Sequence, residues 1–111
     1  MRSCAGNLSF YDQKEVNMIK IVAKNYVKPG CAQTFIDTAK DLIRKSREED
    51  GNVFYTLNVS KTNPDTLAFI ECWKDQAAIE FHNKTEHFLT TLPKLAELCE
   101  REGEVELFDE L

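Results

Sequence analysis

The stretch Leu67–Leu89 constrains the fold of this chain most strongly, because a predicted strand runs directly into a predicted helix. Its first part, Leu67–Trp73, is short, aromatic and β-branched, and the turn-forming Asn63-Pro64-Asp65 precedes it. Asp75 is a suitable N-cap for a helix over Gln76–His82. The strand and the helix are therefore expected to form a tight corner.

This corner carries several polar and aromatic side chains. The two-residue period of a strand puts Glu71 and Trp73 on one face. Both histidines of the chain, His82 and His87, lie just beyond the strand. The rest of the chain is expected to be arranged around this corner.

Length and composition predict one small globular domain. The chain has 111 residues, of which 42% are hydrophobic and 30% charged, with a net charge of −5. No basic stripe interleaved with aromatic residues is present, which argues against a nucleic-acid partner. No apolar run of about 18 residues and no signal-peptide core are visible, so we expect a cytoplasmic protein without a membrane partner.

The four cysteines, Cys4, Cys31, Cys72 and Cys99, are far apart and form no C-x-x-C pair. This spacing favours free thiols over a metal site or a disulfide framework. Cys72 lies in the middle of a strand on an apolar face, where the pKa of a thiol is raised, so it is a poor candidate nucleophile.

The chain begins with a segment, residues 1–17, that shows no sustained periodicity, and we interpret it as a flexible extension preceding a domain over 18–111. Met18–Val27 alternates as a strand. Its apolar face includes one polar residue, Asn25, which needs a backbone, water or ligand partner because an unpaired buried amide costs about 1–3 kcal/mol.

The remaining elements follow from periodicity and turn signals. After Pro29-Gly30 a helix is predicted with the buried stripe Phe35, Ala39, Leu42, Ile43 and Ser46, ending at Asp50-Gly51. A strand over Asn52–Ser60 forms a hairpin with the Leu67 strand. Thr85 caps another helical stretch that is bent or restarted at Pro93 and ends at Gly103, and a short strand over Glu104–Phe108 follows.

This order, β-α-β-β-α-β, is typical of the ferredoxin-like α+β fold, a four-stranded antiparallel sheet with helices on one face. Both faces of the Leu67–Trp73 strand are apolar. The face opposite the helices therefore needs a cover, and a second copy of the chain is the simplest one. We accordingly predict a homodimer.

Three segments resemble the antibiotic biosynthesis monooxygenase (ABM) family. They are the opening M-I-K-I-V-A-K-N-Y-V-K-P-G, the helix end E-E-D-G-N, and E-C-W-K-D-Q-A-A-I-E-F-H-N-K-T-E-H-F, and the resemblance covers roughly residues 18–110. It implies a dimeric α+β barrel in which each subunit has an apolar cleft between helices and sheet. It also implies a range of activities, which includes cofactor-independent oxygenases of hydroquinones and polyketide phenols.

An electron-rich phenol reacts with O₂ without metal or flavin when it is deprotonated, so a site for this chemistry needs a base and hydrogen bonds to an oxyanion. For a quinol monooxygenase-like member we assign Asn25 as donor to the substrate oxygen, Trp73 as wall and indole donor, and His82 as general base. His87 and Phe88 would line the entrance or support the site. Glu71 is a candidate substrate-binding residue, although a salt bridge across strands or at the dimer interface explains its position as well as acid-base chemistry does.

No cofactor and no metal are expected on these grounds. Five positions separate His82 from His87, which is about 140° around a single helix, and no third ligand is evident. The open alternatives are an isomerase acting on a small phosphorylated signal-like sugar or ketone, a haem-degrading member, and a non-catalytic binding or dimerisation module.

Overall fold

The computed structural model describes residues 17–111. The predicted N-terminal extension, residues 1–17, lies outside them except for its last residue. The described chain forms four strands and three helices: β1 (Ile19–Val27), α1 (Ala32–Arg47), β2 (Asn52–Val59), β3 (Thr66–Trp73), α2 (Gln76–Asn83), α3 (Glu86–Glu97) and β4 (Cys99–Asp109). None of these helices is long and apolar enough to cross a membrane.

The four strands form one antiparallel sheet in the order β2-β3-β1-β4. The β2–β3 hairpin pairs Tyr55 with Glu71 and Leu57 with Phe69, as the hairpin prediction requires. The ferredoxin-like α+β fold predicted from the sequence is therefore confirmed.

The core lies between the sheet and α1. The helix buries Phe35, Ala39, Leu42 and Ser46, four of the five positions of its predicted stripe. Its packing surface on the sheet is formed by alternate residues of β1 and β3, which are Ile19, Ile21, Leu67, Phe69 and Trp73. Side chains on one face of a helix recur about every 3.6 residues and those on one face of a strand every 2 residues. Here the two sets pack together in one apolar layer.

The corner predicted at the end of β3 is present. Asp75 Oδ1 accepts a hydrogen bond from the Ala78 amide at 2.8 Å and begins α2. Thr85 Oγ1 accepts one from the Phe88 amide at 3.2 Å and begins α3. The chain therefore breaks between two short helices, and this break separates His82 from His87.

The C-terminal boundaries differ from the prediction. Helix α3 passes through Pro93 and ends at Glu97, not at Gly103. Strand β4 already begins at Cys99 and has 11 residues, so the predicted short strand is wrong in length. Burial of Leu95 against the core holds α3 together across Pro93, which local propensity alone does not indicate.

Gly103 has a different role from the predicted helix stop. It lies inside β4, next to the place where the β1–β4 register shifts between Lys24 and Tyr26. A Cβ atom at this position would collide with the carbonyl oxygen of Lys24. A glycine here allows the two backbones to approach closely.

The sheet face opposite the helices carries a row of side chains across all four strands, and three of the four are apolar. The register aligns Phe54 of β2, Cys72 of β3, Lys20 of β1 and Phe108 of β4. Phe54 and Phe108 are exposed to 37% and 45%. The partly exposed apolar side chains on this face are what the dimer prediction assumed. The dimer itself stays a prediction.

Candidate active site

A cavity of about 500 Å³ lies between the sheet and helices α2 and α3. Most of its wall is apolar and comes from core residues. Its polar lining includes Asn25, Tyr55, Glu71, Gln76, His82 and Asn83, with Lys24 and Glu102 as further charged residues. The corner that organises the sequence therefore forms one wall of this cavity.

A buried carboxylate, Glu49, joins the two histidines. Its Oε2 lies 2.8 Å from His82 Nδ1 and 2.6 Å from His87 Nε2. The side chains of Glu49 and His82 are exposed to 7% and 3%. Because both ring nitrogens face one carboxylate oxygen, each is expected to donate a hydrogen to it.

Three local features bring these side chains together. Glu49 follows the C-cap of α1, His82 lies in the last turn of α2, and His87 is the second residue of α3. Thr85 fixes the link between the two short helices, because its hydroxyl donates to the His82 carbonyl at 2.8 Å. The same hydroxyl accepts from the first turn of α3.

This geometry corrects the argument that we used against a metal site. The 140° separation assumed one continuous helix, whereas His82 and His87 belong to two helices. Together with Glu49 they offer three donor atoms that lie within 4.8 Å of one another, and a nitrogen and carboxylate set of this kind suits a divalent transition metal. In the structure the same atoms are hydrogen-bonded to one another.

The second ring nitrogen of His82, Nε2, is buried and has no hydrogen-bond partner among residues 17–111. With a hydrogen on Nδ1, this nitrogen carries a free lone pair. Burial lowers the pKa of His82 below its ordinary value of 6.5, although the carboxylate of Glu49 raises it. The neutral imidazole is therefore the form present at pH 7.

Aromatic rings enclose this imidazole. The ring centroid of Trp73 is 4.5 Å from that of His82, and those of Phe88 and Tyr55 are 5.0 Å and 5.5 Å away. Phe88 and Tyr55 also line the cavity, whereas Trp73 does not. Phe88 thus lines the cavity, and its contribution to substrate binding stays a prediction.

Trp73 is placed differently from the prediction. It is fully buried, and its indole N–H donates to Glu71 Oε1 at 2.9 Å. The donor that we expected to face a substrate is therefore engaged with Glu71. Trp73 orients this carboxyl instead of lining the cavity.

Glu71 is a buried acid in the cavity wall, exposed to 6%. Burial raises its pKa from 4.5 to about 7, the Trp73 hydrogen bond lowers it, and the charge of Glu49 raises it. Within the described residues Glu71 makes no salt bridge across the strands, while a salt bridge at a dimer interface stays a prediction.

Asn25 lies on the core face of β1 and lines the cavity. Its Nδ2 donates to the carbonyl oxygens of Ala23 at 3.2 Å and Leu67 at 3.4 Å. The partner required by its position is thus the backbone. Because both amide hydrogens point to carbonyls, its Oδ1 is the atom left for a ligand, as an acceptor and not as the predicted donor.

His87 faces away from this cavity. It lines a more open groove of about 820 Å³ beside Phe81, Lys74 and Arg44. The structure therefore places His87 beside Glu49 and outside the cavity lining, and its supporting role at the site stays a prediction.

Two residues of the site were not predicted. Glu49 belongs to the E-E-D-G-N segment, which we used only as a helix end. Three adjacent acids before a glycine gave no indication of which one is buried. Tyr55 lies in the strand predicted over Asn52–Ser60, but its proximity to His82 depends on the β2–β3 register.

The fold and this site define the class of protein. Residues 18–94 match the sequence profile of the family described as Antibiotic biosynthesis monooxygenase. The chain belongs to the ABM family. Its general function is accordingly monooxygenase-like.

Individual relatives agree with this assignment. The chain is 40% identical over 81 residues to "Putative monooxygenase YcnE" of Bacillus subtilis (strain 168), covering 73% of this chain and 85% of the relative. A conserved protein from Methanosarcina mazei Go1 has a crystal structure that matches with a TM-score of 0.83 at 32% identity, over 86% of this chain and 95% of its own. A crystal structure of an antibiotic biosynthesis monooxygenase matches with a TM-score of 0.79 at 31% identity, over 84% and 98%.

Proposed function

We propose that this protein is a cofactor-independent monooxygenase that oxidises quinol-like or polycyclic phenolic molecules with O₂. The observation that carries the proposal is the unpartnered Nε2 of His82, buried beside an apolar cavity while Nδ1 is bonded to Glu49. An aromatic substrate would fit among the apolar and aromatic walls. The name of the Bacillus relative supports an oxygenase in general terms.

The first step is deprotonation of the phenol by His82. A neutral imidazole accepts the proton at Nε2, and the carboxylate of Glu49 stabilises the imidazolium that results. The phenolate is a better one-electron donor to O₂ than the phenol. Asn25 Oδ1 would accept a hydrogen bond from a hydroxyl group of the substrate and orient it.

The charge of the cavity supports this proposal over the isomerase of phosphorylated compounds. Among its described lining residues Lys24 is the one cation, while Glu71 and Glu102 are acids. A phosphate group is bound more effectively by several cations. A neutral phenol carries no negative charge that the two acids of the cavity would repel.

Oxygen uptake tests the proposal. The protein, treated with a chelator, is mixed with an anthrone-type phenol or a reduced naphthoquinone, and uptake is compared with autoxidation. We expect uptake above autoxidation that falls 10²-fold or more in His82→Ala, the range for loss of a general base, and that recovers partly with added imidazole. Uptake equal to autoxidation, or unchanged in the variant, would contradict the proposal.

Two further results would favour one of the alternative functions. Turnover of a phosphorylated ketone without oxygen consumption would favour the isomerase. A Soret band on titration with haem would favour the haem-degrading alternative. Failure to act in all of these assays would leave the binding module.

A further inference from the structure

The carboxyl group of Glu71 is a second chemical group at the cavity, separate from the His82–Glu49 pair. It projects from the C-terminal half of β3, and its Oε1 is held by the Trp73 indole at 2.9 Å. Within residues 17–111, no hydrogen bond to its other oxygen, Oε2, is present. One oxygen is thus fixed while the other remains for a ligand in the cavity.

The described groups around Glu71 include no cation that neutralises this carboxyl. On the helix side it shares the cavity lining with His82 of α2 and is close enough to Glu49, after α1, to be affected by its charge, and Tyr55 of β2 is its neighbour in the sheet. Lys24 of β1 and Glu102 of β4 lie in the same cavity lining, and neither forms an ion pair with it. Desolvation without a counter-charge favours the protonated acid.

Monooxygenation of a phenol also needs an acid. When O₂ adds to the activated carbon of an anthrone-type substrate, the product is a hydroperoxide, C(H)–O–O–H. Its breakdown to a ketone requires loss of the remaining C–H proton and departure of the outer oxygen as hydroxide. Hydroxide is a poor leaving group unless it is protonated as it leaves.

We propose that Glu71 is the proton donor that cleaves the O–O bond of this hydroperoxide. The inference rests on the proposed oxygenase function and adds a second catalytic residue to it. The C–H electron pair forms the new C=O bond, the O–O pair departs with the outer oxygen, and the Glu71 proton converts this oxygen to water. His82 takes the C–H proton and returns it to Glu71 through water, so that one O₂ and one CH₂ group give one ketone and one water.

The other groups at the cavity are less suited to this step. Asn25 has no titratable proton, and the pKa of Tyr55 is raised by its burial, which makes it a weaker acid. Glu102 is exposed to solvent. Among the residues lining the cavity, Glu71 is therefore the one buried carboxylic acid.

A rapid-mixing experiment separates the two half-reactions. The wild type and Glu71→Gln are mixed with an anthrone-type substrate and O₂, and oxygen uptake and ketone formation are recorded in one turnover. We expect Glu71→Gln to take up oxygen within about twofold of the wild type, but to form ketone about 10²–10⁴-fold more slowly and to accumulate hydroperoxide. Glu80→Gln, the same change at an exposed position of α2, should behave as the wild type in both.

The pH dependence supplies an independent readout. Ketone formation by the wild type should decline as the pH rises above about 7, because Glu71 loses its proton there. This limb should be absent in Glu71→Gln. It should move to higher pH in Trp73→Phe, since the Trp73 hydrogen bond lowers the pKa of Glu71.

Two outcomes overturn the inference. Equal slowing of oxygen uptake and ketone formation in Glu71→Gln would show that Glu71 acts in substrate binding, and a persistent pH limb in this variant would assign the limb to another group. Absence of uptake by the wild type is a different failure, since it would contradict the proposed function itself. Thermal unfolding of each variant confirms that it is folded.

Discussion

Glu49 shows how one side chain determines the state of a histidine. Its carboxylate engages Nδ1 of His82 and Nε2 of His87 at the same oxygen, so the free lone pair of His82 lies on Nε2, beside the cavity. Without this acceptor, either nitrogen of His82 could carry the hydrogen. The tautomer of the proposed base is therefore set by a residue that does not line the cavity.

Replacement of Glu49 by Gln should reduce oxygen uptake by about 10-fold or more, because an amide stabilises the imidazolium of His82 less than a carboxylate does. The measurement is steady-state uptake with a reduced naphthoquinone. Glu48→Gln is the matched control, since Glu48 is an exposed neighbour with a distant contact to Arg44 at 3.9 Å. Equal activity of the two variants would contradict a positioning role for Glu49.

Glu71 should also affect folding stability in a pH-dependent way. Its pKa rises from 4.5 to about 7 on folding, so the folded state binds the proton more tightly than the unfolded state between these values. The wild type therefore loses about 3 kcal/mol from this group as the pH rises from 4.5 to 7, an order-of-magnitude figure.

Urea unfolding of wild type and Glu71→Gln at pH 4, 6 and 8 measures this loss. The free energy of unfolding of the variant, relative to the wild type, should increase with pH by roughly this amount, because glutamine does not ionise. A constant difference across the three pH values would show that the carboxyl titrates normally in the folded protein.

At the scale of the elements, the junction between α2 and α3 positions both histidines. Thr85 caps α3 through the Phe88 amide and bonds the His82 carbonyl through the same hydroxyl. The two short helices could not place their histidines on one carboxylate if the chain continued as a single helix. The break is therefore as much a part of the site as the side chains are.

Thr85→Ala should destabilise the protein by about 1 kcal/mol, the usual cost of a lost N-cap. Thr85→Ser keeps the hydroxyl and should stay within about 0.5 kcal/mol of the wild type, because serine caps equally well. Chemical unfolding of the three proteins makes the comparison. If alanine and serine had the same effect, the methyl group and not the hydroxyl would be the stabilising feature.

At the scale of the whole molecule, the uncovered face of the sheet is the basis for the predicted homodimer. Phe54 and Phe108 lie on the face opposite the helices and are partly exposed. A second copy covering this face would remove the apolar surface of Phe54 and Phe108 from water. Val105 of β4, which is exposed to 66%, lies on the other side of the sheet and lines the cavity.

Phe108→Lys should therefore shift the protein towards the monomer in sedimentation velocity at micromolar concentration, because a lysine would be buried against an apolar partner surface. Phe81→Lys is the matched control, since Phe81 is exposed on α2, on the helix side of the molecule. A wild-type protein that sediments as a monomer would contradict the dimer prediction.

Much of the fold was determined by the sequence itself. The alternation of β1 and β3, the stripe of α1 and the caps at Asp75 and Thr85 depend on neighbours within one or two turns, and the structure has all of them. The C-terminal region was predicted less well. There α3 continues through Pro93 and β4 includes Gly103, because packing on the core and pairing with β1 outweigh local breaking signals.

The site depended on tertiary structure to a greater degree. The sequence indicated His82, Glu71 and Phe88 as candidates, since Glu71 lies in the strand that leads into a recognisable corner and the other two follow the corner. It did not indicate that Glu49 joins both histidines or that the Trp73 indole donates to Glu71. Nor did it indicate that the Asn25 amide donates its hydrogens to backbone carbonyls. Local periodicity specifies which face a side chain occupies, whereas its partner across 33 residues, as for Glu49 and His82, is decided only when the helices pack on the sheet.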